Sequence, residues 1–278
     1  MISFSKLGEY GRFGNQLFQY AYIRTQAQRL KVKFYCPSWL GETIFTLGDE
    51  KERCESFVPS HLYKEDPYKH GFSLSATSIE DGIDVAGYFQ SWKFFTKEDI
   101  FSWYVFKESL FTALHEKYSH IDFSNAVAVH VRLGDYMEGS FMFYTPTATY
   151  FKKALSKINS KGQVVVFSEH VETVKKYLGS MPDNTVYIEG NKNYEDFYLM
   201  TLCKDTIISP SSFSWWAAYL NKHPHKKIIA PTYWYIPYSR VTYDNIHMPD
   251  WITLDGHRVL ADNYYYRYIT HFLKKKMS

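Results

Sequence analysis

Three side chains able to do chemistry lie within six residues of one another in the middle of the chain: His130, Arg132 and Asp135. A β-branched run leads up to them, and a glycine-containing turn signal follows Arg132. Because side chains alternate between the two faces of a strand, His130 and Arg132 are predicted to share one face. The planar guanidinium of arginine suits phosphate oxygens and stays charged at any useful pH. The pattern predicts a site for a phosphorylated ligand, and pairing of Arg132 with a neighbouring carboxylate is the open alternative.

Two more segments follow predicted strands and open predicted helices, residues 11–16 and residues 209–216. The first amides of a helix lack partners and the helix dipole is positive there, so either segment suits an anion. Each is also open to a plainer interpretation as an ordinary turn, with Ser212 capping the second helix. The candidate ligand-binding residues in these two segments are Gly14, Asn15, Gln16, Ser211, Ser212 and Phe213. Three such segments at strand ends predict a single cleft between two domains.

The elements that must position these residues alternate between strand and helix in the second half of the chain. Strands are predicted at 126–132, 163–167, 185–188, 206–208 and 227–230. Helices are predicted at 146–158, 171–178, 194–203 and 213–220. The alternation indicates βαβ units, and therefore an α/β fold with a parallel sheet covered by helices on both faces.

The first half carries fewer clear signals. Strands are predicted at 2–4, 32–35 and 84–89, with a long helix at 15–30 and helical stretches near 97–119. Residues 122–125 interrupt the pattern. We therefore predict an N-terminal α/β domain at 1–122 and a C-terminal Rossmann-like domain at 123–278, whose last helix, 261–276, ends in three lysines.

Composition excludes several classes of protein. The chain has 278 residues, 45% hydrophobic and 22% charged, which is typical of a globular protein. A net charge of +3 is too small to argue for nucleic acid as a partner. Three widely spaced cysteines predict no disulfide framework, and the amino terminus does not resemble a signal peptide. The sequence contains no run of 18 apolar residues, so no membrane span is predicted. A cytoplasmic location is expected.

Aromatic residues make up 19% of the chain, including 25 tyrosines, which weakly favours carbohydrate as a ligand. No Asp-x-Asp motif follows a hydrophobic strand, and no P-loop or His-Glu-x-x-His motif is found. We therefore expect neither a metal nor a cofactor, and arginine together with helix ends would have to neutralise phosphate charge.

Five segments, in order along the chain, resemble the α-1,2-fucosyltransferases of glycosyltransferase family 11: residues 11–21, 87–95, 129–136, 167–169 and 196–216. The third segment is similar to the family's His-x-Arg-x-Gly-Asp-Tyr signature. Leu133 stands where the family usually has a second arginine. The opening segment is also similar to that of protein O-fucosyltransferases.

The resemblance implies a GT-B-like enzyme of two Rossmann-like domains, with the donor cleft between them and the N-terminal domain on the acceptor side. It implies metal-independent transfer of L-fucose, with inversion, from GDP-β-L-fucose to the 2-hydroxyl of a terminal galactose on an oligosaccharide. Arg132 would grip the diphosphate, His130 would order the pyrophosphate or the sugar, and Asp135 would orient Arg132 or contact the donor. The donor-binding residues that it implies are Gly14, Asn15, Gln16, Arg132, Asp196, Ser211, Ser212 and Phe213.

Within that set, Gly14 and Asn15 would approach the fucose and Asp196 would bind guanine. No general base is singled out, and Glu9, Asp135 and Glu169 are the candidates. The aromatic candidates for stacking on an acceptor are Tyr88, Trp92 and Tyr144.

Three alternatives stay open. The first is a fucosyltransferase of another linkage or acceptor, including a peptide. The second is an inactive GDP-sugar-binding module, which stays open because Leu133 replaces the second arginine of the family signature. The third is peripheral contact with the inner membrane face through the basic tail at 264–276, whose lysines also suit the negative end of a helix dipole.

Overall fold

The computed structural model of the protein describes residues 1–66, 68–69, 71, 73–133, 144–236, 241–243 and 245–255. The chain divides into two compact units. The first contains Met1–Lys117 and Arg240–Pro249, and the second contains Tyr118–Ser239 and Asp250–Ser278. The predicted helix at 261–276 lies outside the described residues.

The first unit is built on a parallel sheet with the strand order β2-β1-β5-β4, beside a separate antiparallel pair formed by β3 and β6. Its strands are β1 (Ile2–Ser3), β2 (Phe34–Tyr35), β3 (Phe45–Thr46), β4 (His61–Lys64), β5 (Ile83–Ala86) and β6 (Val105–Phe106). Its helices are α1 (Phe13–Leu30), α2 (Leu40–Ile44), α3 (Leu74–Thr77), α4 (Lys97–Trp103) and α5 (Thr112–Lys117). The long helix α1 is buried over most of its surface and ends at Leu30, after which Lys31 adopts the left-handed conformation with φ 57°.

The second unit is a parallel sheet with the order β12-β11-β10-β7-β8-β9. Its strands are β7 (Val127–His130), β8 (Val164–Phe167), β9 (Thr185–Tyr187), β10 (Asp205–Ile207), β11 (Ile228–Pro231) and β12 (Ile252–Leu254). Its helices are α6 (Ala148–Ile158), α7 (Val171–Leu178), α8 (Asn193–Leu202) and α9 (Ser212–Leu220). The predicted α/β class with parallel sheets is confirmed.

The central strand β7 is buried on both faces, as expected for a parallel sheet covered by helices. On one face, Val127, Val129 and Val131 pack in an apolar cluster with the side chains of α6 and α7. Leu133 continues this row and is buried in the same cluster. The position where the family usually has an arginine therefore belongs to the core in this chain, and the polar chemistry of β7 is left to the opposite face.

The observed division differs from the predicted boundary at 122/123 in two ways. It falls at Lys117/Tyr118, because the Tyr118 hydroxyl donates a hydrogen bond to Asn191 Oδ1 (3.1 Å) within the second unit. The chain also returns to the first unit after β11, where Trp92 Nε1 donates to the His247 carbonyl (3.0 Å). Nothing in the local sequence pattern indicated this return, because it depends on single contacts between residues distant in sequence.

Candidate active site

The polar residues of the second unit lie at the point where its strand order reverses. From β7 the chain proceeds to β8 and β9 on one side, and from β10 it proceeds to β11 and β12 on the other. The connections after β7 and β10 therefore leave in opposite directions, which opens a crevice at the carboxyl ends of these two neighbouring strands. Open α/β sheets bind ligands at such a point.

Ser209, two residues beyond β10, connects the segment that follows β10 to the end of β7. Its Oγ accepts a hydrogen bond from the backbone N–H of Arg132 (3.1 Å) and donates one to the carbonyl of His130 (2.8 Å). Ser209 is fully buried, so both backbone groups would lack these partners without its hydroxyl. Ser209 belongs to a segment that was predicted to bind a ligand. Its role in bridging the two backbones was not predicted, because a serine beside a proline is typical of a turn.

The side chain of Arg132 forms an ion pair with Glu169, with Nη1 2.8 Å from Oε1. Glu169 follows β8, the strand beside β7, so the pairing arises from two adjacent strand ends. The carboxylate is 37% exposed and the guanidinium 10% exposed. A pair with this much contact with water contributes about 1 kcal/mol or less, so an incoming anion can compete for the arginine. The alternative of a neighbouring carboxylate partner is therefore confirmed, and it is compatible with ligand binding.

His130 is buried, and its Nδ1 has no hydrogen-bond partner among the described residues. Burial lowers the pKa of His130 to about 4, so its imidazole is neutral at physiological pH. Its ring lies 5.6 Å from that of Phe213, which in turn lies 5.3 Å from Phe197. A neutral imidazole supplies one N–H donor and one nitrogen acceptor to its surroundings but no positive charge.

Helix α9 begins at Ser212, and its N-cap residue is Ser211, whose side chain makes no capping hydrogen bond. The interpretation of Ser212 as the cap is therefore wrong, because Ser212 already has helical geometry. The first turn of α9 contains no acidic residue. Its positive end, next to Phe213 and to the end of β7, is suited to an anion such as a diphosphate.

Asp196 lies in the first turn of α8, after β9, and is half-buried. Its Oδ1 accepts a hydrogen bond from Asn191 Nδ2 (2.9 Å). The neighbouring Phe197 contacts Phe213, so this turn adjoins the start of α9. The structure thus brings together His130, Arg132 and the start of α9, with the turn that carries Asp196 beside them. Asp135 lies outside the described residues.

In the first unit, the predicted residues Gly14, Asn15 and Gln16 occupy the first turn of α1. Asn15 Oδ1 accepts a hydrogen bond from Gln90 Nε2 (2.7 Å), a contact between residues 75 positions apart that local sequence patterns do not predict. The side-chain oxygens of Gln16 and Gln90 are buried and have no hydrogen-bond partner among the described residues. Both oxygens are out of reach of a ligand, whereas Asn15 is only half-buried, so Asn15 is the residue of this group suited to hydrogen-bond the hydroxyls of a sugar.

Gly11 makes this arrangement possible. Its φ is +88°, and a Cβ at this position would lie 1.9 Å from Asn15 Nδ2. No side chain fits there unless Asn15 moves. The absence of a side chain on Gly11 therefore leaves room for the side chain of Asn15.

The remaining candidates differ in accessibility. Glu9 is 66% exposed and lies 3.6 Å from Lys6. Tyr88 and Trp92 are half-buried. Tyr144 is 1% exposed, so it has no ring face available for stacking on a sugar, and that candidate is wrong.

The described residues contain no group of three or more histidine, cysteine, aspartate or glutamate side chains able to hold a metal ion. None of their helices combines the length and the apolar character needed to cross a bilayer. A cavity of about 360 Å³ in the second unit is lined by Val127 and Val164 at the amino-terminal starts of β7 and β8, so it lies at the edge of the sheet opposite to Arg132.

Two α/β units with parallel sheets, with the candidate ligand-binding residues at strand ends, define the class as a GT-B-like fold. The NodZ α-1,6-fucosyltransferase from Bradyrhizobium, in crystals soaked with GDP-fucose, has a similar fold, with a TM-score of 0.53 at 15% identity over 79% of this chain and 91% of that one. The model of glycosyl transferase family 11 matches residues 9–255, and the chain belongs to this family.

Two curated proteins are similar to this chain in sequence. The chain is 30% identical to an α-1,2-colitosyltransferase of Escherichia coli over 57% of its length and 58% of the relative's. It is 26% identical to galactoside α-(1,2)-fucosyltransferase 1 of Bos taurus over 76% of its length and 64% of the relative's. The chain thus matches less than two thirds of the length of either of these curated relatives.

Proposed function

We propose that the protein transfers L-fucose from GDP-β-L-fucose to the 2-hydroxyl of a terminal galactose on an oligosaccharide, with inversion and without a metal. Membership of family 11 supports glycosyl transfer. The relative named galactoside α-(1,2)-fucosyltransferase 1 supports the donor sugar, the linkage and the acceptor. The observation that carries the proposal is the position of Arg132 at the point where the strand order of the second unit reverses, next to the uncapped start of α9.

The donor diphosphate is assigned to this point. When the bond between the fucose anomeric carbon and the phosphate oxygen breaks, negative charge develops on GDP. The guanidinium of Arg132 and the positive end of α9 stabilise that charge as it forms, which lowers the barrier to reaction. Asp196, in the turn beside Phe213, is assigned to guanine, and Asp135 to the orientation of Arg132 or to the donor.

The sugar is assigned to uncharged side chains of the first unit that form hydrogen bonds. The half-buried side chain of Asn15, which accepts a hydrogen bond from Gln90, is assigned to sugar hydroxyls. In the inverting step the acceptor hydroxyl oxygen bonds to the anomeric carbon on the face opposite to GDP, through an oxocarbenium-like transition state. The proton of that hydroxyl passes to a base that we do not assign, since Glu169 is engaged with Arg132 and Glu9 is largely exposed.

The test is transfer from GDP-fucose to lactose and to N-acetyllactosamine in EDTA, beside the variants Arg132→Ala and Lys175→Ala. Lys175 is an exposed cation of the same unit and is the matched control for loss of charge. We expect transfer to fall about 100-fold or more in Arg132→Ala and to be unchanged in Lys175→Ala. GDP binding without any transfer or donor hydrolysis would favour an inactive binding module. Absence of GDP binding in the native protein would overturn the proposal.

A second candidate is transfer of colitose, and the name of the Escherichia coli relative favours it. Competing GDP-fucose against GDP-colitose in the same assay decides between the two donors. Preference for GDP-colitose would keep the roles of Arg132 and α9 and change only the sugar. Product linkage analysis separates attachment to the 2-hydroxyl from other linkages and from a peptide acceptor.

A further inference from the structure

A buried carboxylate in the first unit forms hydrogen bonds with two backbone amides. Glu65, one residue beyond β4, is 6% exposed. Its Oε2 accepts from the N–H of Tyr88 (2.6 Å), and both of its oxygens accept from the N–H of Phe89 (3.1 and 3.2 Å). Within the described part of the chain, no lysine, arginine or histidine pairs with Glu65. Among the described residues, the carboxylate is therefore held in the interior by the backbone amides of Tyr88 and Phe89, an arrangement that costs desolvation.

The turn that Glu65 holds has an unusual conformation. Phe89 has φ +49°, a left-handed conformation that residues with a side chain rarely adopt. A Cβ on Gly87 would lie 2.4 Å from the Cβ of Glu65, so only glycine lets the carboxylate reach the amides. The Phe89 ring also stacks on Tyr22 of α1, with centroids 3.8 Å apart. Such a backbone persists only where surrounding contacts determine it, and such sites are concentrated near functional residues.

This turn, residues 87–90, leads directly to the candidate sugar site. Gln90 follows Phe89, and its Nε2 donates to Asn15 Oδ1 (2.7 Å). At the other end of the turn, the carbonyl of Gly87 accepts from Gln19 Nε2 of α1 (3.2 Å). The path from Glu65 to Asn15 is therefore a short series of hydrogen bonds through the backbone of the turn.

We propose that Glu65 is a positioning residue, whose carboxylate fixes the turn at 87–90 so that Gln90 holds Asn15 in its ligand-binding orientation. The proposal rests on the proposed function, in which Asn15 contacts the sugar. Glu65 itself touches no substrate, because both of its oxygens are occupied and its side chain is buried. It is therefore not assigned as the base that removes the acceptor proton.

The environment of Glu65 makes the proposal testable by pH. Burial raises the pKa of Glu65 to about 7, while the hydrogen bonds from Tyr88 and Phe89 oppose the rise. Among the described residues, the titratable groups that face it are Asp66, whose charge adds to the rise, and Tyr22 of α1. A protonated carboxyl accepts hydrogen bonds more weakly than a carboxylate, so the turn should be held less firmly below neutral pH.

The experiment compares Glu65→Gln with Asp66→Asn, a matched loss of charge at the next, exposed position. We expect Glu65→Gln to lower kcat/KM for transfer about 10-fold at pH 8 while GDP affinity stays within 2-fold, since GDP is assigned to the other unit. The native rate should rise with pH through about 7, and the Glu65→Gln rate should not. Native kcat/KM and an unchanged pH profile in Glu65→Gln would overturn the proposal.

A double-mutant cycle separates positioning from a general loss of stability. If Glu65 acts through Gln90, the double variant Glu65→Gln, Gln90→Ala should transfer no more slowly than Gln90→Ala alone. Additive losses would overturn the proposal. Hydrogen exchange at the Tyr88 and Phe89 amides and the Asn15 side-chain NMR signals give a readout independent of activity. If the native protein transfers no sugar, the proposed function fails, and an unchanged Asn15 signal in Glu65→Gln would then overturn the role of Glu65 separately.

Discussion

The backbone amide of Arg132 and the hydroxyl of Ser209 are joined by a 3.1 Å hydrogen bond across two neighbouring strands, although 77 residues separate them in sequence. The same hydroxyl donates to the carbonyl of His130. One buried side chain therefore fixes the backbone of both His130 and Arg132 at the end of β7. The orientation of Arg132 depends on a residue that need not touch the ligand.

Replacing Ser209 with alanine should destabilise the protein by about 1–3 kcal/mol, because the buried backbone groups of Arg132 and His130 lose their partner. Ser211→Ala is the matched control, since the Ser211 side chain makes no capping hydrogen bond. We expect the control to change the free energy of unfolding by less than about 0.5 kcal/mol. Urea denaturation of both variants measures this difference, and equal losses would contradict the role of Ser209.

Replacing Glu169 with glutamine should strengthen GDP binding about 2- to 5-fold at low salt. The substitution removes a negative charge next to Arg132 but keeps an oxygen able to accept from the guanidinium. Glu172→Gln is the control, because Glu172 pairs with Lys175 on the exposed side of α7. Calorimetric titration with GDP is the measurement. Weaker binding in Glu169→Gln would show that the carboxylate orients Arg132 for the ligand instead of competing with it.

The pKa of His130, lowered by burial from 6.5 to about 4, predicts a dependence of stability on acid. Between these values the unfolded chain binds a proton at this residue and the folded chain does not, so stability falls as the pH falls. From pH 7.5 to pH 5 the loss attributable to His130 is about 2 kcal/mol. Denaturant unfolding of the native protein and of His130→Asn at both pH values isolates this loss, which the variant should lack.

Glu65 shifts stability in the opposite direction over part of this range. Its pKa is raised from 4.5 to about 7, so between these values the folded chain holds a proton that the unfolded chain has released. Stability therefore falls as the pH rises from 4.5 to 7, by up to about 3 kcal/mol. Glu65→Gln removes this loss. The free energy of unfolding of the variant, relative to that of the native protein, should therefore be higher at pH 8 than at pH 5.5. A constant difference between the two would contradict this prediction.

Five of the six strands in the parallel sheet of the second unit were predicted, because they are short runs rich in apolar residues, whereas β12 (Ile252–Leu254) was not predicted. The helix Val171–Leu178 has the predicted bounds, since Gly179 marks its end. The edge strand His61–Lys64 was not predicted, because it is largely exposed and has no apolar run. Residue types predicted that Arg132 lies at a strand end, but the bridge formed by Ser209 and the turn held by Glu65 depend on which strands are neighbours. That information is absent from local patterns.

Gly11→Ala should disrupt the sugar-binding side of the site. The new Cβ would lie 1.9 Å from Asn15 Nδ2, and φ at this position is +88°, so the variant suffers both a collision and backbone strain. Gly48→Ala is the control, with φ +65° and no atom within 4 Å of its Cβ, so it carries strain alone. We expect the control to lose about 1 kcal/mol of stability and no activity per folded molecule. Gly11→Ala should lose at least that much stability and also about 10-fold or more in kcat/KM, because Asn15 must leave its hydrogen bond with Gln90. Steady-state kinetics with GDP-fucose, corrected for the folded fraction, makes the comparison, and equal activity in the two variants would rule out the assigned role of Asn15.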